Sequence, residues 1–157
     1  TCDILQATCA IPVLFPEIKI DNIPYYDGGL ADSIPVKRAI EKGYSKHLLV
    51  LTREPGYIKQ PSRSNKWATK LFQKRYPRLA AAMNDRATMY NDTMKYIGEL
   101  EQNNEAFIFK PDRAIKSFES KIDQMKANYE VGYEQALKQM TELKEFLGVQ
   151  KDTPIPL

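Results

Sequence analysis

Cysteine is scarce in this chain: Cys2 and Cys9 are the two present among 157 residues. That excludes a disulfide framework of the small secreted type. If Asp3 to Ala10 is helical, positions seven apart lie roughly 10 Å apart along the axis. A disulfide tolerates about 7 Å between Cα atoms. Both thiols are therefore expected to be reduced, which favours a cytoplasmic location. Histidine is scarcer still, with His47 alone. One imidazole without a Cys-x-x-Cys pair falls short of the three or four protein ligands that zinc wants, so neither a metal nor a cofactor is expected. No stretch approaches about 18 consecutive apolar residues, so no transmembrane helix is encoded. The opening Thr1-Cys2-Asp3 lacks the basic and apolar regions of a secretory signal. It also lacks an initiator Met, and the numbering is expected to start inside a longer gene product. A net charge of +3 is too small for a strongly basic nucleic-acid binder.

The hydrophobic share of 43% is enough for a core. The first third reads as mixed α/β. Asp3 and Gln6 resemble a capping box opening a short helix that stops before Pro12. Ile18-Lys19-Ile20 and Ile23-Pro24-Tyr25-Tyr26 are two extended pieces around a polar turn at Asp21-Asn22. Ser33 is a good N-cap for a helix with Pro35 in its first turn, and Gly43 fits its C′ end. Leu48 to Thr52 is short, apolar and unalternating, as expected of a strand buried on both faces. Strand, helix and buried strand together suggest a parallel sheet flanked by helices.

The remainder is mostly helical. Leu79, Met83, Ala87, Tyr90, Met94, Ile97 and Leu100 mark one amphipathic face, with Pro77 near its start. Ala106 to Phe109 reads as a further strand. Phe118, Ile122, Met125, Tyr129, Tyr133, Ala136, Met140, Leu143 and Leu147 follow at helical spacing, and Gly148 is the natural stop. Core packing is the expected use of both stripes. The polar, Pro-rich segment 151–157 is expected to be loose.

Asp27-Gly28 alone between extended segments is most often a turn. Its surroundings carry more. Ala7-Thr8-Cys9-Ala10-Ile11-Pro12-Val13-Leu14-Phe15-Pro16 precedes Tyr26-Asp27-Gly28-Gly29-Leu30, and Ser33-Ile34-Pro35-Val36 follows, before the apolar strand. This order resembles the C-terminal part of the patatin-like phospholipase family. There a small-residue helix ending in Ile-Pro and Phe-Pro pairs leads to a strand, then to Asp-Gly-Gly or Asp-Gly-Ala, then to Asn-x-Pro. Here the polar position of that last element is Ser33. The close resemblance covers roughly residues 5 to 55; the later helices resemble the C-terminal extension of bacterial members.

The resemblance implies a lipid acyl hydrolase with a Ser-Asp dyad on an α/β sheet. Asp27 would be the base, supported by a tight loop at Gly28 and Gly29. The nucleophile would sit on a Gly-x-Ser-x-Gly elbow, and a Gly-rich loop would serve the oxyanion. Neither occurs in this chain, so both are expected upstream of Thr1. Gly43-Tyr44-Ser45-Lys46-His47 lacks the second Gly and leads into a strand, so Ser45 does not fit the elbow. His47 at the strand entry reads as structural. Asp32 reads as a helix N-terminal charge.

From Lys59 to Arg78 the chain carries seven basic residues and no acid. Trp67, Leu71 and either Lys74 or Arg75 share a helical face there. The plain reading is a solvated basic face. The functional one is contact of Lys66, Trp67, Lys70, Lys74 and Arg75 with anionic lipid headgroups, peripheral to a membrane.

The expected organisation is residues 1–55 as part of a patatin-like catalytic domain, 56–150 as a helix-rich extension with a strand near 106–109, and 151–157 as tail. The expected function is hydrolysis of a lipid ester by the longer protein, this piece alone being inactive. The alternative is a non-catalytic lipid-surface or protein-interaction module that keeps the motif as a turn. A sheet strand without its neighbours also leads us to expect self-association.

Overall fold

The computed structural model describes residues 2–61, 63–116 and 119–149, with side chains at 63–66 left aside. Phe118, the side chain of Lys66 and the tail 151–157 lie outside the described residues. The elements are α1 (Cys2–Thr8), β1 (Ile18–Ile20), β2 (Ile23–Tyr25), a 3₁₀ turn (Gly28–Leu30), α2 (Val36–Glu41), β3 (His47–Val50), α3 (Arg63–Phe72), α4 (Pro77–Gln102), β4 (Ala106–Phe109) and α5 (Ile122–Leu147). They form a mixed α/β structure with, among the described residues, two two-stranded sheets. The chain divides into two compact units: Thr1–Gly43 with Ile58–Ile97, and Tyr44–Tyr57 with Gly98–Leu157.

In the first unit, β1 and β2 pair antiparallel, Ile18 opposite Tyr25 and Ile20 opposite Ile23. The hairpin closes through two residues in the left-handed region, Asp21 (φ 50°) and Asn22 (φ 63°). Asn and Asp tolerate that region better than other side chains, which is why this pair makes the turn. Helix α1 begins at Cys2, so Asp3 sits in its first turn instead of capping it, still favoured by the helix dipole. Leu30, Ala68 and Met83 form a buried cluster, with Tyr26, Phe72 and Leu79 packed against it. This cluster ties the 3₁₀ turn to α3 and α4. Met83, Ala87, Tyr90 and Ile97 are buried along α4 as their spacing required, Ile97 fully, and the buried Leu100 of the same helix belongs to the second unit.

Ser33 does not cap α2. Pro35 occupies the N-cap position without a side-chain bond, and the Ser33 hydroxyl donates instead to the Gly29 carbonyl at 2.8 Å. The helix then ends as expected at Gly43 (φ 89°).

In the second unit, β3 and β4 run parallel, His47 opposite Ala106 and Val50 opposite Phe109. The expected sheet is thus reduced to one parallel pair, and β2 and β3 belong to separate sheets. Nor is β3 buried on both faces: His47 and Leu51 are buried, while Leu48 and Val50 are 49% and 73% exposed. The cause is that β4 is its single hydrogen-bonded neighbour among the described residues and one face alone is turned inward. The last turns of α5 bury Leu143 and Phe146, with the Phe146 ring 5.8 Å from Phe107. The Lys46 ammonium donates to the Phe146 carbonyl and lies over its ring. Gly148 (φ 68°) stops the helix, donating to the Glu145 and Lys144 carbonyls. Over its first half, however, the α5 stripe is not core: Ile122, Met125, Tyr129 and Tyr133 are all exposed.

Candidate active site

Asp27 follows β2 after Tyr26 and caps the 3₁₀ turn (φ −48°, ψ 123°). Its backbone N–H donates to the Ala10 carbonyl at 3.0 Å, and its carbonyl accepts from the Leu30 N–H. One carboxylate oxygen, Oδ1, accepts from the Gly29 N–H at 2.7 Å, a short distance typical of a charge-assisted bond. The other, Oδ2, makes no hydrogen bond among the described residues. The carboxylate is half-buried, so it is held at one oxygen and available at the other.

The two glycines serve this arrangement differently from expectation. Neither lies in the left-handed region, so a sharp turn is not what they provide. A Cβ at Gly29 would stand 3.1 Å from Asp27 Oδ1, tighter than ordinary packing, and that close approach is what Gly29 permits. A Cβ at Gly28 would meet nothing. Gly29 is fixed at both ends, its N–H by Asp27 and its carbonyl by Ser33. Asp32 accepts from the Ile34 N–H at 3.2 Å, so it organises the loop that follows.

Upstream of Asp27, residues 11–16 form an apolar loop in which Val13, Leu14 and Phe15 are exposed. Val13 has φ 77°, a strained conformation for a β-branched residue. Because Ala10 holds Asp27, this loop and the aspartate are anchored to the same point.

Tyr26, next to Asp27, joins a cluster that sequence reasoning missed. The Glu17 carboxylate accepts from the hydroxyls of Tyr26 (3.3 Å) and Tyr76 (3.1 Å) and from the Arg75 guanidinium (3.3 Å). The Tyr26 ring also meets Phe72 edge-on at 5.6 Å. The backbone N–H of Glu17, then Tyr76 and the Arg75 charge, hold the Glu17 carboxyl below its usual range. Burial and the Glu17 charge raise the Tyr26 hydroxyl; burial and the bond to Glu17 raise that of Tyr76. No local pattern announced this cluster, because Glu17 meets Arg75 and Tyr76 from the distant segment just before α4.

The remaining candidates are dispersed. Trp67 is 63% exposed and Leu71 58%, with Lys70 and Lys74 exposed beside them, while Ala68 and Thr69 turn inward. Arg75 is engaged with Glu17 and lies over the Tyr76 ring. His47 is buried in the second unit, where its N–H bonds the Glu105 carbonyl, and Ser45 is exposed before the strand. Cys2 and Cys9 are free and exposed. Among the described residues no helix is long and apolar enough to cross a membrane.

Residues 1–40, which contain the Asp27 loop, match the patatin-like phospholipase family. Residues 76–148 match a family described as a domain of unknown function, DUF6363. The chain is 26% identical over 137 residues to the uncharacterized protein YjjU of Escherichia coli (strain K12). That match covers 83% of this chain and 37% of the relative, so the chain spans little more than a third of that protein's length. No solved structure matches.

Proposed function

We propose that this chain is the Asp-bearing part of a patatin-like lipid acyl hydrolase, in which Asp27 is the base of a Ser-Asp dyad. The observation that carries the reading is the Asp27 carboxylate, fixed through Oδ1 by Gly29 within the segment that matches the patatin-like family. Oδ2 is then the atom that accepts the serine proton. The nucleophile would come from a Gly-x-Ser-x-Gly elbow in the longer protein, and an acyl-serine intermediate would form there before water hydrolyses it. The exposed apolar loop at Val13 to Phe15 suits the acyl part of an ester substrate.

Exchanging Asp27→Asn in the longer protein tests this reading. Asn retains an oxygen acceptor for Gly29 but is no base, so hydrolysis of a short p-nitrophenyl ester should collapse. Wild-type rates would reduce the motif to a turn, as the non-catalytic alternative requires. The isolated chain should hydrolyse nothing.

A peripheral contact with anionic lipid is supported separately by Trp67, Leu71, Lys70 and Lys74, which are exposed on and just beyond α3. Each basic residue near a charged surface contributes about 1 kcal/mol. Lys70→Ala with Lys74→Ala should therefore weaken binding to phosphatidylserine vesicles at low salt. Unchanged binding would remove this role.

A further inference from the structure

The second unit contains a cavity of about 510 Å³, within the range of small-molecule sites. It opens at the carboxyl ends of the parallel pair, where Val50, Leu51 and Phe109 contribute to one side and α5 to the other. The carboxyl end of parallel strands is where α/β folds place ligands. The α5 wall is built from Tyr129, Val131, Gly132, Tyr133 and Ala136. The rings of Tyr129 and Tyr133 lie stacked, 6.2 Å apart and 15° from parallel, which makes that wall flat and apolar. At its centre Gly132 contributes no side chain, and a Cβ there would meet nothing.

Polar and charged residues complete the lining. Lys110 is neutralised by Glu101 at 3.6 Å, and its carbonyl accepts from the Gln135 amide. Asp112 is an exposed carboxylate of the same lining. Arg113 differs: its guanidinium reaches only the Asn128 amide oxygen at 3.5 Å and makes no ion pair among the described residues. An apolar slot lined by a guanidinium that has no ion pair among the described residues fits a hydrocarbon chain that ends in a carboxylate.

We infer that this groove binds the acyl chain of a long-chain fatty acid, with Arg113 holding the carboxylate. The inference does not depend on the Ser-Asp dyad, since it uses no residue of the Asp27 loop.

The test is titration of the 157-residue chain with cis-parinaric acid, followed by its fluorescence and by displacement with palmitate. Saturable one-to-one binding is expected, with palmitate displacing the probe at lower concentration than hexadecanol. Gly132→Leu should fill the groove and abolish binding. It should not unfold the protein, because glycine is a poor residue inside a helix and its replacement there meets open space. Arg113→Ala should weaken palmitate binding by roughly tenfold, the loss expected of a charge-assisted bond. If Gly132→Leu fails to fold, Ala136→Leu on the same wall replaces it. The absence of saturable binding, full binding by a folded groove-filling variant, or an unaltered Arg113→Ala would each overturn the assignment.

Discussion

The Asp27 loop of the first unit and the β3–β4 pair of the second are built from contacts of different reach. Around Asp27, residues fix near neighbours: Asp27 holds Gly29, Ser33 holds Gly29, Asp32 holds Ile34, and Asp21-Asn22 close the hairpin. In the second unit, His47 pairs with Ala106 and Lys46 bonds the end of α5 at Phe146. The side-chain hydrogen bonds that orient the carboxylate are thus near ones, while Leu30 joins the loop to α3 and α4 through the buried cluster. The β3–β4 pair exists only when distant segments have already met, and closing such long loops carries an entropic cost.

The sharpest way to break this contrast is to weaken packing far along the chain from Asp27. Ile97→Ala removes a fully buried side chain and should cost about 2–5 kcal/mol in denaturant unfolding. The Gly29 amide resonance should nevertheless stay at its wild-type position in the folded fraction. A large shift would show that the loop depends on distant packing after all. Next in size is the hairpin turn. Asn22→Val places a β-branched residue at φ 63° and should destabilise by about 1–2 kcal/mol, whereas Asn22→Gly should be close to neutral. Then comes the cap itself: Asp27→Ala removes the acceptor for Gly29 and should cost about 0.5–2 kcal/mol.

The smallest effect concerns a long-range tie in this part of the molecule, the Glu17 cluster. Glu17 has its carboxyl lowered from an ordinary 4.5, so its contribution is present above that pH. The contribution is lost as pH falls through the lowered folded value. The stability gap between wild type and Glu17→Gln should therefore narrow on acidification. Tyr26 and Tyr76, raised above 10.0, contribute below that pH and lose their contribution as pH rises past it. Parallel unfolding curves for wild type and Glu17→Gln at every pH would remove the cluster from the account.

Near contacts were also the ones legible in the sequence. The Asp21-Asn22 turn, the α4 stripe, the Ala106–Phe109 strand and the Gly148 stop follow from spacing and backbone preference, and each is where it was expected. Ser33 was misread because two hydrogen-bonding roles compete for one hydroxyl, and the nearby Gly29 carbonyl takes it from the helix N-terminus. The apolar run of β3 promised burial on both faces, but composition cannot say how many layers will cover a strand; Leu48 and Val50 are open. Glu17 was illegible because its partners Arg75 and Tyr76 lie far along the chain. The groove was hidden for the same reason: Phe109 and Gly132 become neighbours only in the fold. For Asp27, motif order supplied the candidate. The structure adds which oxygen is tied and which makes no hydrogen bond among the described residues.

The most direct measurement is the hydrolysis rate of Asp27→Asn in the longer protein, taken beside its unfolding free energy. A positioned base typically contributes 10²–10⁴-fold, so the rate should fall by at least roughly a hundredfold. Stability should stay within about 0.5 kcal/mol of wild type, as for a substitution that keeps its acceptor. Unchanged hydrolysis by the folded variant would contradict the assignment of Asp27 as the base.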